Sequence, residues 1–139
     1  MRSFSIKGIS GIILGSFVLL SISTIALSQA KSGGSAAKGL KNPVTSSAES
    51  IAAGQKLYQA NCKVCHGDSG KGDGPAAGSM TVKPADLTAA KLAHGSSDGE
   101  IFTNIKDGIP PDMKMKSFKA KLSDQDIWNV VIYVHSLKK

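Results

Sequence analysis

Cys62-Lys63-Val64-Cys65-His66, CKVCH, holds both cysteines of a chain of 139 residues. The two thiols stand three apart, and a histidine follows the second directly. Upstream, Glu49 to Asn61 (ESIAAGQKLYQAN) places Ile51, Gly54, Leu57 and Tyr58 at i, i+3, i+6 and i+7, the spacing of an amphipathic helix. Downstream lies a Gly-rich stretch from Gly67 to Gly74. A helix before the motif and a loop after it constrain what the pair of cysteines can be.

Three readings compete: a disulfide, either structural or redox-active, half of a zinc site, and attachment of haem. A structural disulfide would close so short a loop that it removes little chain entropy. A thioredoxin-like redox pair needs a strand before the motif and a helix after it, where this chain has a helix and then a loop. Zinc wants four ligands; no further cysteine exists, and only His94 and His135 remain elsewhere. The third reading is attachment of haem. Two thioethers from Cys62 and Cys65 pin the porphyrin edge, and His66 reaches the iron. This reading uses all three reactive residues. The second ring nitrogen of His66 should then donate to a backbone carbonyl, with Pro75 and Pro84 as the candidate acceptors.

The remaining elements are helical. Ser97-Asp98-Gly99-Glu100 forms a capping box before a short helix, with Ile101, Phe102 and Ile105 facing inward and Gly108 ending it. Ser123-Asp124-Gln125-Asp126 opens the last helix, expected from Asp124 to about Leu137 with Ile127, Val130, Val131, Val134 and Leu137 as its apolar stripe. No segment alternates with period two. The fold class is all-α. Gly54 in mid-helix costs about 1 kcal/mol relative to alanine, which close contact with another helix would explain.

From about Ile51 to Leu137 the chain resembles the class I c-type cytochromes. CKVCH, the Gly54-x-x-x-Tyr58 helix and LSDQDIWNVVIYVHSL carry the likeness, and GDGPAAGSMTVKPADLT resembles the loop that wraps the haem in short bacterial members. The resemblance implies a cytochrome c fold, with N- and C-terminal helices crossing over one covalently bound haem c. It places Gly54 and Tyr58 against Tyr133. It also implies a second axial ligand, a methionine in the loop before the last helix. That loop, GIPPDMKMKSFKAKLS, holds two. Met115-Lys116-Ser117-Phe118 keeps the family's Met-to-Phe spacing, so Met115 is the expected ligand. Lys116 stands where proline is usual, which leaves Met113 as the alternative. Met80 is expected as core filler, His94 as a loop residue and His135 in a solvated or helix-end role. Ligation by two histidines is the less favoured arrangement.

Residues 1–30 do not belong to the domain. Arg2 and Lys7 precede an uncharged run from Gly8 to Ala30, whose most apolar part is Ile12 to Leu20, and Ser28-Gln29-Ala30 offers small residues for cleavage. These are the parts of a signal peptide. The run from 8 to 30 is also long enough to remain as an uncleaved membrane anchor and tether, although its serines and glycines favour cleavage. Residues 31–47, rich in Gly, Ser, Ala and Lys, read as a flexible linker. The monohaem domain is expected at 48–139. With Arg2 and Lys7 in the leader, 15 of the 17 basic residues remain against 10 acidic ones.

An exported chain makes nucleic acid a poor explanation for that charge. Lys114, Lys116, Lys119 and Lys121 flank the expected methionine ligand and should ring the haem edge. A basic rim there would steer the protein to acidic-surfaced redox partners in fast, salt-sensitive encounters. The expected function is a monomeric electron carrier, not an enzyme, in the periplasm or on the outer face of the cytoplasmic membrane. A haem-based sensor or a peroxidase-like enzyme with a labile sixth ligand is the alternative. A non-haem thiol protein would instead be colourless.

Overall fold

The computed structural model describes residues 34–110 and 115–138. The leader and its expected anchor, Met113, Lys114 and Lys139 lie outside the described residues. Among the described residues five helices follow one another: α1 (Gly34–Gly39), α2 (Ala48–Asn61), α3 (Lys63–His66), α4 (Asp98–Asp107) and α5 (Asp124–Ser136). A single 3-10 turn (Ala77–Ser79) interrupts the long connection between α3 and α4. Among the described residues the only bridge between extended segments is the isolated pairing of Ile109 with Met115. None of the described helices is long and apolar enough to cross a membrane.

Local chemistry sets the helix ends. Ser97 and Glu100 cap α4 reciprocally, as do Ser123 and Asp126 for α5, so orphan N–H groups at both starts find oxygen partners. A third capping box opens α2, where Ser47 accepts from Ser50 N and Ser50 Oγ accepts from Ser47 N. Serine in place of the usual Glu or Gln hid this one in the sequence. Gly108 ends α4 as expected.

α2 and α5 cross at the centre of the molecule. Gly54 is buried at the crossing, and a Cβ there would strike the carbonyl oxygen of Asn129 and lie 2.9 Å from Tyr133 Cβ. The rings of Tyr58 and Tyr133 meet beside it with centroids 5.1 Å apart. Ser50, Gly54 and Tyr58 are the buried positions of α2, one helical turn apart, while Ile51 and Leu57 pack half-buried at their flanks. α5 is buried over a wider arc than its expected stripe. Trp128, Ile132 and Tyr133 are covered as well, and Trp128 stacks on Phe102 of α4 at a centroid distance of 3.9 Å.

The stretch expected as a linker is different from residue 34 onward. α1 packs on α4, and at Gly99 a Cβ would strike the carbonyl of Ala37. Beyond α1, Asn42 Nδ2 donates to the Trp128 carbonyl at 3.1 Å, and Asn42 N donates to Asp98 Oδ2 at 3.4 Å. Composition alone suggested a solvated tether. A single asparagine ties it to two helices, through the Trp128 main-chain carbonyl of α5 and the Asp98 side-chain carboxylate of α4. Asn42→Ala is expected to cost about 1 kcal/mol, the net worth of one such hydrogen bond; an unchanged denaturant midpoint would mean that the arm adds nothing to stability.

Candidate functional site

α3 consists of little more than the motif. Its four residues, KVCH, leave α2 through Cys62, whose N–H still bonds Tyr58 O at 2.8 Å. Cys65 N and His66 N both bond back to Cys62 O. Three reactive side chains are therefore carried on one turn of rigid backbone. Tyr58, 0% exposed, fastens the turn from below: its hydroxyl donates to Gly67 O at 2.8 Å. Burial, followed by the nearby Cys62 thiol, pushes the Tyr58 phenol well above its usual range, so it remains a donor. Tyr58→Phe would leave a buried carbonyl unpaired and is expected to cost roughly 1–3 kcal/mol, read as a lower thermal midpoint.

Cys62, Cys65 and His66 all line a cavity of about 580 Å³ that opens into the core. Ile101, Ile105, Val130 and Val134, buried core residues of α4 and α5, form its floor. Protein interiors hold few voids larger than a water molecule. An apolar space of this size with a few convergent polar groups is a ligand site.

The chemistry of its wall selects among the three readings. No disulfide joins Cys62 and Cys65. Burial first, and the neighbouring Cys65 second, push the Cys62 thiol up to about 11. That is the opposite of the lowered value a redox-active thiolate requires. Among the described residues no group of three His, Cys, Asp or Glu side chains could hold a metal ion, so Cys62 and Cys65 find no completed zinc site there. His66 Nδ1 lies 3.1 Å from Ala85 O. The acceptor is the residue after Pro84, not Pro84 or Pro75 as expected. With Nδ1 engaged as a donor, Nε2 is the nitrogen whose lone pair stays free to bind a metal. Burial lowers the His66 pKa, and the Ala85 bond only partly offsets it, so the imidazole stays neutral, the form that binds metal.

Met115 lies on the same cavity wall and packs half-buried against the core. Its main chain is held, with Ile109 N donating to Met115 O at 3.0 Å. Its alternative, Met113, is outside the described residues. Met80 departs from its expected role as core filler: it is only half-buried and lines the cavity, because the loop after the 3-10 turn brings it to the opening. His94 also reaches the wall, exposed. His135 does not; its Nε2 sits 2.8 Å from Asp98 Oδ1 at the far end of α5, close but not aligned as a hydrogen bond.

Of the expected docking lysines, Lys116 is exposed on the cavity wall. Lys119 and Lys121 are exposed too, Lys119 with Asp107 at 4.0 Å; Lys114 is outside the described residues. The sequence reading missed Lys83, which lines the cavity and donates to Ala77 O at 3.0 Å. It also missed Val64 and Val82, apolar yet 53% and 45% exposed at the cavity wall. Only their position beside the opening marks them, and no local pattern carries that.

Six thiol, imidazole and thioether groups around one apolar cavity, on a frame of crossing helices, define a c-type haem protein. The sequence pattern of the family described as cytochrome c matches residues 51–138. The chain is 35% identical over 92 residues to cytochrome c-554(547) of Halothiobacillus neapolitanus, covering 63% of this chain and 96% of that one. It is 31% identical over 99 residues to the cbb3-type cytochrome c oxidase subunit CcoP of an Azospirillum strain. That match covers 69% of this chain but only 31% of the subunit, so the chain spans about a third of the oxidase subunit's length. Among solved structures, one chain of the Kuenenia stuttgartiensis reducing HAO-like complex Kustc0457/Kustc0458 superimposes with a TM-score of 0.63 at 34% identity, covering 73% of this chain and 48% of that one. The chain belongs to the cytochrome c family, as a small class I c-type cytochrome with covalently bound haem c.

Proposed function

We propose that this protein is a one-electron carrier outside the cytoplasm, with haem c bound through Cys62 and Cys65 and with His66 and Met115 as the axial ligands. The observation that carries this is the common wall: both thiols, His66 and Met115 line one apolar cavity, and His66 Nδ1 is already engaged by Ala85. Haem bound there supplies a reversible one-electron couple whose potential depends on its axial ligands. The chain's own groups orient the imidazole, keep it neutral and exclude water with Ile101, Ile105, Val130 and Val134. Two protein ligands leave no open position for a substrate, which favours a carrier over an enzyme. Export rests on the leader at 1–30, with cleavage favoured over a retained tether.

Val64 and Val82 at the cavity wall, beside Lys83 and Lys116, suit a small, transient docking face for an acidic-surfaced redox protein. Lys116→Glu is expected to slow reduction by such a partner by about tenfold at low salt, within the range of electrostatic steering. Lys119→Glu should do less, because Asp107 already stands beside it. Equal rates for wild type and Lys116→Glu across a salt series would remove this face from the account.

The test of the function is the visible spectrum of the reduced, haem-loaded protein with and without carbon monoxide. A low-spin c-type spectrum that ignores the gas is expected. Ready binding would mean an open iron and would favour the sensor or peroxidase-like alternative.

A further inference from the structure

Gly72 touches both ends of the arrangement around His66. Its N–H donates to the main-chain carbonyl of His66 at 2.9 Å. Its α-carbon faces the Pro84–Ala85 segment: a Cβ there would strike Pro84 O, lie 3.1 Å from Pro84 C and come within 3.3 Å of Ala85 O. Ala85 O is the atom that His66 Nδ1 engages. Its φ of +75° also lies in the left-handed region that glycine enters without strain.

From this juxtaposition we infer that Gly72 is a positioning residue that sets the potential of the site, by seating the Ala85 carbonyl against His66. The inference rests on the reading of His66 as an iron ligand. A carbonyl drawn close to Nδ1–H raises the basicity of the imidazole. A more basic ligand favours the more highly charged, oxidised iron and holds the potential down. A side chain at 72 would push Pro84 and Ala85 outward, because the atoms it meets are backbone and cannot rotate away. The bond to Nδ1 would lengthen and the potential would rise.

Gly70 separates this effect from backbone strain. It has φ +80°, yet a Cβ there would meet the flexible Leu137 side chain at 2.8 Å and Leu87 Cβ at 3.4 Å. Any L-residue at either position carries a comparable left-handed strain, which asparagine tolerates best. The experiment compares Gly72→Ala and Gly72→Asn with Gly70→Ala and Gly70→Asn as haem-loaded proteins, by potentiometric titration. Upward shifts for both Gly72 variants, with the Gly70 variants at the wild-type potential, are expected. Equal potentials across all four, with low-spin spectra retained, would overturn the role of Gly72 and leave His66 ligation standing. A wild-type spectrum without histidine ligation would overturn the underlying reading instead.

A second measurement needs no variant. In the reduced wild-type holoprotein, His66 Nδ1–H and Gly72 N–H should exchange with solvent in one shared opening and at similar rates. Faster, separate exchange of the ring proton would overturn the inference even if the Gly72 variants failed to mature.

Discussion

Replacing Gly54 with alanine is expected to lower the stability of the haem-loaded protein by roughly 2–3 kcal/mol, within the usual range for overpacking a tight contact. The added methyl would strike Asn129 O and lie 2.7 Å from Asn129 C and 2.9 Å from Tyr133 Cβ. Two of those three atoms are helix backbone, so α2 and α5 must move apart as rigid rods. Alanine also brings a helix-propensity gain of about 1 kcal/mol, which makes the expected loss a net figure. For a domain of this size each kcal/mol moves the thermal midpoint by about 4–8 °C, so a drop on the order of 10–20 °C should appear in a melt followed by circular dichroism. A variant that melts at or above wild type would show that separating the helices costs no more than the propensity gain of about 1 kcal/mol. The Tyr58–Tyr133 contact beside Gly54 would then be the firmer part of the crossing.

The second large effect is expected at Met115. Met115→Ala should open the sixth position, so that the reduced protein binds carbon monoxide while wild type does not. The potential should fall by about 100 mV or more, since axial ligation spans about 0.8 V and His/Met ligation sits at its high end. The base of the loop should survive, because Ile109 N bonds the main-chain oxygen of Met115 and not its side chain. Met80→Ala is the control. Met80 lines the same cavity, and its loss should remove packing while leaving the iron closed to the gas. If Met115→Ala stays closed as well, the ligand is Met113, or His94 from the cavity wall.

Much of the frame was readable from short spans. The capping boxes at Ser97–Glu100 and Ser123–Asp126 formed as written, because a cap needs only its own four residues. The α5 stripe of Ile127, Val130, Val131 and Val134 is buried as its period demanded. Gly54, an unfavourable residue in mid-helix, was a sound sign of close approach because only an approaching backbone repays that choice. The failures share a different cause. The carbonyl behind His66 belongs to Ala85, one residue beyond an expected proline. The partners stand 19 positions apart along a largely irregular connection, so a shift of one in that loop changes the acceptor. Met80 reached the cavity and Asn42 docked the arm through connections of the same kind.

The sequence by itself determined that two thiols and a histidine fall within one stretch of five residues, that the domain is helical, and where its longer helices begin. These follow from spacing and from hydrogen bonds between near neighbours. Only the tertiary structure decided which carbonyl orients His66, that Met80, Lys83 and His94 stand at the cavity beside Met115, and that residues 34–47 lie against α4 and α5. Each of those contacts joins irregular backbone to a partner far along the chain, and no local periodicity encodes where such a loop comes to rest.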